Sequence, residues 1–135
     1  MKLLLLLALS FTALAQNIKI EEPYIRLLPP SAPNTGGFML IKNESDKDIK
    51  LISAESSLSK ALEMHTMISE KGMMKMREVK DIKIKAKSST SLKPGGLHLM
   101  FMGLKRPLKK DEKVKVTLKF SDSSSLDVEF PVLNK

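Results

Sequence analysis

Short runs in which apolar and polar residues alternate cover most of this chain, and turn residues interrupt them every eight to fourteen positions. A period of two is typical of a β-strand with one buried and one solvated face. No segment keeps a helical period over its length. We therefore expect an all-β fold, an antiparallel sandwich or barrel in which lysines such as Lys83 and Lys115 occupy the solvated faces.

Ten segments fit the strand pattern. They are residues 18–28, 37–42, 49–54, 61–68, 73–79, 82–86, 90–92, 97–102, 113–120 and 126–130. The segment from Pro29 through Gly36-Gly37 is predicted as the first loop because proline, asparagine and glycine interrupt strands. The short polar connection 69–72 predicts a hairpin between segments 61–68 and 73–79, although the sequence does not fix its register.

The N-terminus has the order of a secretory signal peptide: a positive start, an apolar block and the small-residue triplet Ala13-Leu14-Ala15. We predict cleavage after Ala15, which leaves residues 16–135 as a single, monomeric domain exported to the periplasm. The sequence contains no cysteine, so a lipid-modified N-terminus has no residue to build on. No stable membrane insertion is expected.

The formal net charge is +8, and lysine provides most of the excess. A nucleic-acid surface would need aromatic side chains for stacking and arginines for base readout. Aromatic residues make up only 4% of the chain. We therefore expect no nucleic-acid partner and interpret the lysines as solvated strand faces.

The absence of cysteine also excludes thiolate metal sites, so a site for a soft metal must use methionine. The chain has nine methionines, most of them between Met64 and Met102. Methionine at strand positions is usually adaptable core filler. We interpret three as packing and three more as packing or an apolar rim around a site. The first three are Met39, Met64 and Met74, and the others are Met67, Met73 and Met102.

The strand 97–102 has one face of Leu97, Leu99 and Phe101 and an opposite face that presents His98, Met100 and Met102. The first face belongs in a core. On the second, a thioether and an imidazole lie about 7 Å apart along the strand. Neutral thioether and imidazole ligands select Cu(I) over Mg²⁺ or Ca²⁺.

Both histidines and two methionines also fit one long pattern. Ten residues separate His65 from Met76, twenty-one separate Met76 from His98, and one separates His98 from Met100. This spacing resembles the signature of the bacterial periplasmic copper chaperones of the PCu(A)C family, and the flanking segments 63–65, 72–77 and 93–104 resemble that family too.

The resemblance covers residues 24–120. It implies a cupredoxin-like Greek-key β-sandwich that binds Cu(I) and passes it onward. The implied ligands are His65, Met76, His98 and Met100. The implied partners are subunit II of cytochrome c oxidase and a Sco-type copper chaperone. The second copper site that some relatives carry in a His- and Met-rich tail is not expected, because the chain ends at 130–135 without such residues.

Two other classes of function remain open from the sequence. An Ig-like extracytoplasmic binding module would contain these histidines and methionines incidentally and would bind no metal. An enzyme could use His65 and His98 as an acid and base pair, but the sequence contains no nucleophile motif or acidic metal cluster beside them. An enzyme would need a substrate cleft at the histidines, whereas a chaperone needs a methionine-rimmed face.

Overall fold

Ten β-strands and their connecting loops make up the computed structural model, which describes residues 17–135. The strands are β1 (Ile18–Arg26), β2 (Asn34–Asn43), β3 (Ile49–Glu55), β4 (Ser59–Glu70), β5 (Met73–Glu78), β6 (Ile82–Ile84), β7 (Ser88–Leu92), β8 (His98–Leu104), β9 (Lys113–Phe120) and β10 (Ser125–Leu133). Within residues 17–135 no helix is long and apolar enough to cross a bilayer. The predicted signal peptide and its cleavage point lie outside the described residues.

The strands hydrogen-bond in the order β5-β4-β8-β2-β1-β10-β9-β3-β6, and β7 pairs with β2 beside this path. The link between the two halves is a short parallel pairing in which Ile25 lies opposite Val132 and Arg26 opposite Leu133. The remaining strand pairs are antiparallel. Strands distant in sequence, such as β2 and β8, are neighbours, as in a Greek key. The predicted all-β fold is confirmed.

The two halves of the sheet pack against one shared hydrophobic core. Ile41 and Leu99 contribute from the β2–β8 half, while Leu51, Val116 and Phe130 contribute from the β3–β9–β10 half, and all five are fully buried. Burying such a side chain stabilises the fold by about 1.5–3 kcal/mol. As predicted, Leu99 and Phe101 of β8 face this core, so the alternate residues of β8 face away from it.

The predicted first loop is partly wrong. β2 begins at Asn34 rather than Gly37, and its first residues pair with β8, with Asn34 opposite Met102 and Gly37 opposite Leu99. A Cβ atom at Gly37 would lie 2.8 Å from the ring of Phe101. The glycine therefore marks a close approach within a sheet rather than a turn.

Asn43 connects the two halves of the sheet through hydrogen bonds, at the end of β2 that does not pair with β8. Its side-chain amide donates hydrogen bonds to the carbonyls of Lys47 and Ile84, at 2.8 and 3.0 Å. Its oxygen accepts from the backbone N–H of Ser45 at 3.0 Å. Because Asn43 is only 1% exposed, these bonds satisfy polar groups that water does not reach.

Candidate metal centre

The pairing of β4 with β8 brings the two histidines together. In this antiparallel register His65 lies directly opposite His98, and Glu63 lies opposite Met100. The two imidazole centroids are 5.7 Å apart, with the ring planes inclined by 63°. On the other face of the same strands, Met64 lies opposite Leu99 in the core. The sheet therefore separates a packing face from a face that carries histidine and methionine.

The β4–β5 hairpin adds the fourth predicted residue. Met76 pairs with Met67, which is two residues beyond His65 and therefore on the same face. The residue directly opposite His65 is Glu78. The hairpin thus places Met76 near His65, as the short connection between its two strands predicted. The sequence had left the register of the hairpin open.

All four predicted ligands line a single pocket of about 410 Å³. Met67 and Met102 also line this pocket, so of the two interpretations given for them, packing or an apolar rim, their position agrees with the rim. The full lining is Arg26, Leu28, Asn34, Thr35, Gly36, Phe38, His65, Met67, Met76, Pro94, Gly95, His98, Met100 and Met102. The pocket is therefore mainly apolar and rich in sulfur.

Each histidine has one ring nitrogen held by the protein. Nδ1 of His98 donates to the carbonyl of Gly96 at 2.9 Å, because a carbonyl oxygen only accepts. Nε2 of His65 lies 2.7 Å from a carboxylate oxygen of Glu63, which fits an N–H donating to that oxygen. Such partners fix the tautomer and the orientation of metal-binding histidines.

The other two ring nitrogens are buried and have no hydrogen-bond partner. They are Nδ1 of His65 and Nε2 of His98. With the opposite nitrogens acting as donors, each of these carries a free lone pair. Buried polar atoms without a partner are rare and need an explanation, and a cation bound between the two rings would supply one.

Burial of the four side chains falls from the sheet toward the hairpin. His98 and Met100 are 5% and 9% exposed, whereas Met76 is 55% exposed. The side chain of His65 lies between them at 12%. An ion held here would be shielded by β8 on one side and accessible to solvent past Met76 on the other.

Residues of β1 and β2 close the pocket beside His98. The Phe38 ring lies 6.3 Å from the His98 ring, and the Arg26 guanidinium lies 5.2 Å from the Phe38 centroid. Gly36 lies opposite Met100, and a Cβ atom there would come within 2.9 Å of Phe38. The glycine therefore leaves the space that the Phe38 ring occupies.

The remaining methionines divide into buried and exposed sets. Met39 and Met64 pack in the core as predicted. The packing interpretation of Met74 is wrong, because Met74 is 58% exposed on the edge strand β5. Met73 is also exposed, at 63%, and does not line the pocket. A short solvated hairpin has no second layer to cover its outer strand.

The groups that orient the histidines were not predicted from the sequence. Glu63 shares a face with His65 by strand periodicity, and that signal could have identified it. The Gly96 carbonyl had no comparable signal, because its role depends on the turn before β8. No cluster of three or more His, Cys, Asp or Glu side chains suited to a metal occurs in residues 17–135. The donor set of the pocket is therefore one of imidazole and thioether.

Comparison with known proteins identifies the family of this chain and supports its fold. The profile of the family described as "Putative lipoprotein LpqE-like" matches residues 18–132. "Putative lipoprotein Lxx21020" of Leifsonia xyli subsp. xyli is 39% identical over 119 residues, which cover 87% of this chain and 70% of that protein.

Among solved structures, apo-DR1885 from Deinococcus radiodurans is 35% identical, with a TM-score of 0.70 over 91% of this chain and 83% of that one. The Cu(I) form of DR1885 is 33% identical, with a TM-score of 0.69 over 93% and 86% of the two chains. The copper-bound PCuAC domain from PmoF2 has a TM-score of 0.75 over 88% and 94%, at 20% identity. These matches show that the chain has the cupredoxin-like fold of PCuAC domains.

Proposed function

The chain belongs to the LpqE-like family, and we propose that it is a copper chaperone that binds one Cu(I) ion and passes it to another protein. The proposed ligands are His65, Met76, His98 and Met100. The observation that carries the proposal is the pair of buried, unpartnered ring nitrogens, one on each histidine, in a pocket that two thioethers also line.

The chemistry of the lining favours Cu(I). Soft thioether donors select Cu(I), and imidazole binds it well. Carboxylates, the usual ligands of Mg²⁺ and Ca²⁺, do not line this pocket of the described chain. The Glu63 carboxylate instead contacts the outer nitrogen of His65, where it raises the basicity of the ligand without binding the metal.

A relative of known structure supports the same assignment. DR1885, one third identical to this chain, has been solved with Cu(I). The exposure of Met76, at 55%, supports release as well as binding, because an acceptor's ligand can approach the ion from that side. Neutral thioethers also hold the ion less tightly than thiolates would.

The proposal also includes the location of the protein and the acceptor of its copper. Lipoprotein descriptions of the family and of a relative support an exported protein, and we place it in the periplasm. An acylated cysteine has no counterpart in this cysteine-free sequence. The proposed acceptor is the copper centre of cytochrome c oxidase subunit II, reached directly or through a Sco-type chaperone. Anaerobic transfer to the purified apo subunit II domain, followed by separation of the two proteins and copper analysis of each, tests this part separately.

An anaerobic titration of Cu(I) against bicinchoninate tests the binding site. We expect one Cu(I) per wild-type chain, and a loss of affinity of at least about 100-fold in Met76→Ala and His98→Ala, because even outer-shell partners typically contribute 10–100-fold. Met73→Ala is the matched control, since Met73 is as exposed as Met76 but lies outside the pocket.

Equal and weak binding in all four proteins would overturn the proposal and favour an Ig-like binding module. An enzyme that uses the two histidines would need a reactive group beside them. The one hydroxyl that lines the described pocket, that of Thr35, donates to the carbonyl of Arg26 at 2.7 Å, so the geometry favours a binding protein over an enzyme.

A further inference from the structure

Strand β5 exposes an unusual set of side chains. Of the four large apolar side chains that are exposed in residues 17–135, three lie on this strand: Met73, Met74 and Met76. β5 is also the edge of the sheet and pairs only with β4. Edge strands are ordinarily protected by charged residues, proline or bulges. The methionines of β5 therefore need a reason beyond packing.

The register of the hairpin places two of these methionines beside Met67. Met76 lies directly opposite Met67, and Met74 lies opposite Ser69, one step further toward the turn. Residues opposite each other in an antiparallel pair share a face. Met67, Met74 and Met76 therefore lie on the same face of the hairpin as His65.

Met73 lies on the other face of the hairpin. It pairs with Glu70, whose carboxylate forms ion pairs with Lys75 and Arg77 at 3.6 and 3.7 Å. This second face carries an acidic and two basic side chains. On β5, the face with Met74 and Met76 carries one charged residue, Glu78, which lies opposite His65 at the end of the strand away from the turn. The two faces of the exposed hairpin thus differ in chemistry, and Met67, Met74 and Met76 all lie on the face that carries His65.

We propose that Met67, Met74 and Met76 form an outer Cu(I) site through which the ion passes between the histidine pocket and an acceptor. Directly opposite residues have Cβ atoms about 4.5–5.5 Å apart and diagonal ones about 7–8 Å, within reach of long side chains. Methionine has three rotatable bonds and a polarizable sulfur, so three such thioethers can converge on one soft ion. This inference rests on the proposed function.

Met76 is the ligand common to the inner and outer sites. In the transfer step, the copper bonds to His65, His98 and Met100 break while bonds to the sulfurs of Met67 and Met74 form. Copper remains Cu(I), each exchanged ligand is neutral, and no proton, electron or further reagent is needed. Because the outer site has no imidazole, it holds the ion more weakly and releases it to the acceptor.

The kinetic test compares two variants that keep the apolar surface. Met67→Leu/Met74→Leu removes two thioethers at nearly constant volume and hydrophobicity, and Met73→Leu makes the same change on the other face. Wild type and both variants are loaded with one Cu(I) and mixed anaerobically with excess bathocuproine disulfonate in a stopped-flow spectrometer. We expect transfer at least about tenfold slower in the double variant, because the ion must then leave the histidines without two of its intermediate ligands, and a barrier higher by about 1.4 kcal/mol slows a step tenfold. The rate in Met73→Leu should be unchanged.

Three results would overturn the outer site. Equal transfer rates in all three proteins would show that the face serves only as an apolar surface. A slower rate in Met73→Leu as well would indicate a general effect of the hairpin. Loss of the one-to-one stoichiometry in the double variant would assign Met67 or Met74 to the inner site instead.

A second measurement detects the outer site without the histidines. In His65→Ala/His98→Ala, with folding checked by circular dichroism, Cu(I) should shift the ¹³C-methyl NMR signals of Met67, Met74 and Met76 and leave that of Met73 in place. An unmoved Met74 signal would overturn the outer site. Failure of the proposed function is distinct, because it would show as an absence of one-to-one Cu(I) binding in the wild-type chain.

Discussion

His65 and His98 are direct partners across β4 and β8, with their imidazole centroids 5.7 Å apart. The separation is therefore set by backbone hydrogen bonds of the sheet rather than by a loop. Sites built on regular elements hold their geometry more closely than sites on loops. The less constrained member of the set is Met76, because it lies on an exposed hairpin strand. The fold thus combines two histidines fixed by the sheet with an accessible thioether.

Glu63 should contribute to copper affinity by orienting His65. In Glu63→Leu, Nε2 of His65 loses its acceptor at 2.7 Å, and we expect Cu(I) affinity to fall about 10–100-fold, as is typical of outer-shell partners of metal ligands. Glu63→Gln keeps an acceptor oxygen and should lose less. Competition with bicinchoninate measures the affinity, and long-range ¹H–¹⁵N NMR shows which ring nitrogen carries the proton. Equal affinities in both variants and in wild type would contradict this role.

Asn43 should stabilise the fold without affecting copper. Asn43→Ala removes the donors to Lys47 and Ile84, and we expect a loss of about 1–3 kcal/mol in the free energy of unfolding, the usual cost of unsatisfied buried groups. Asn43→Asp retains the acceptor for Ser45 but not the donors, so it should also destabilise. Urea unfolding gives the stability. A change in Cu(I) stoichiometry in the folded variants would show that the two regions are coupled.

Glu112 should make the stability of the fold depend on pH in the acidic range. The Arg106 guanidinium, 2.7 Å away, together with the backbone N–H of Lys109, lowers the pKa of Glu112 from its ordinary 4.5. Because the folded pKa is the lower one, the stabilisation is present above about pH 4.5 and is lost as pH falls toward that folded pKa.

Glu112→Gln should therefore be less stable than wild type at pH 7, by at most about 1 kcal/mol for a partly exposed pair. The difference should shrink as pH falls below about 4.5, where the unfolded chain takes up a proton first. Thermal unfolding at several pH values measures it, with the exposed Glu129 changed to Gln as the control. A difference that grows in acid would contradict this sign.

The strand pattern was largely predictable because apolar and polar residues alternate along much of the chain, and burial follows that alternation in strands such as β3 and β9. Each of the ten predicted segments overlaps a strand of the structure. The start of β2 was missed since Asn34–Gly37 has loop composition and becomes a strand only by pairing with β8. Tertiary contact of this kind, with Gly37 pressed against Phe101, leaves no local signal in the sequence.

The gathering of the four candidate ligands in one pocket was also predictable, but their orientation was not. Strand periodicity placed His98 and Met100 on one face, and the resemblance to the PCu(A)C family implied that His65 and Met76 join them. The register of the hairpin, which sets Met76 opposite Met67, depends on its turn and could not be deduced. The contact of His98 with the Gly96 carbonyl likewise arises from the turn that precedes β8. The exposure of Met74 could be learned only from the three-dimensional structure. Strand periodicity assigns a residue to one face of the strand but does not say what covers that face.

The most direct test of the central claim is X-ray absorption at the copper edge on the protein loaded with one equivalent of Cu(I). The proposed site predicts a Cu(I) edge and first-shell scattering from both nitrogen and sulfur, with the nitrogen contribution lost in His65→Ala/His98→Ala. The sulfur contribution should decrease in Met76→Ala. A first shell of nitrogen and oxygen alone, unchanged by these substitutions, would contradict a copper site built from these two histidines and two methionines.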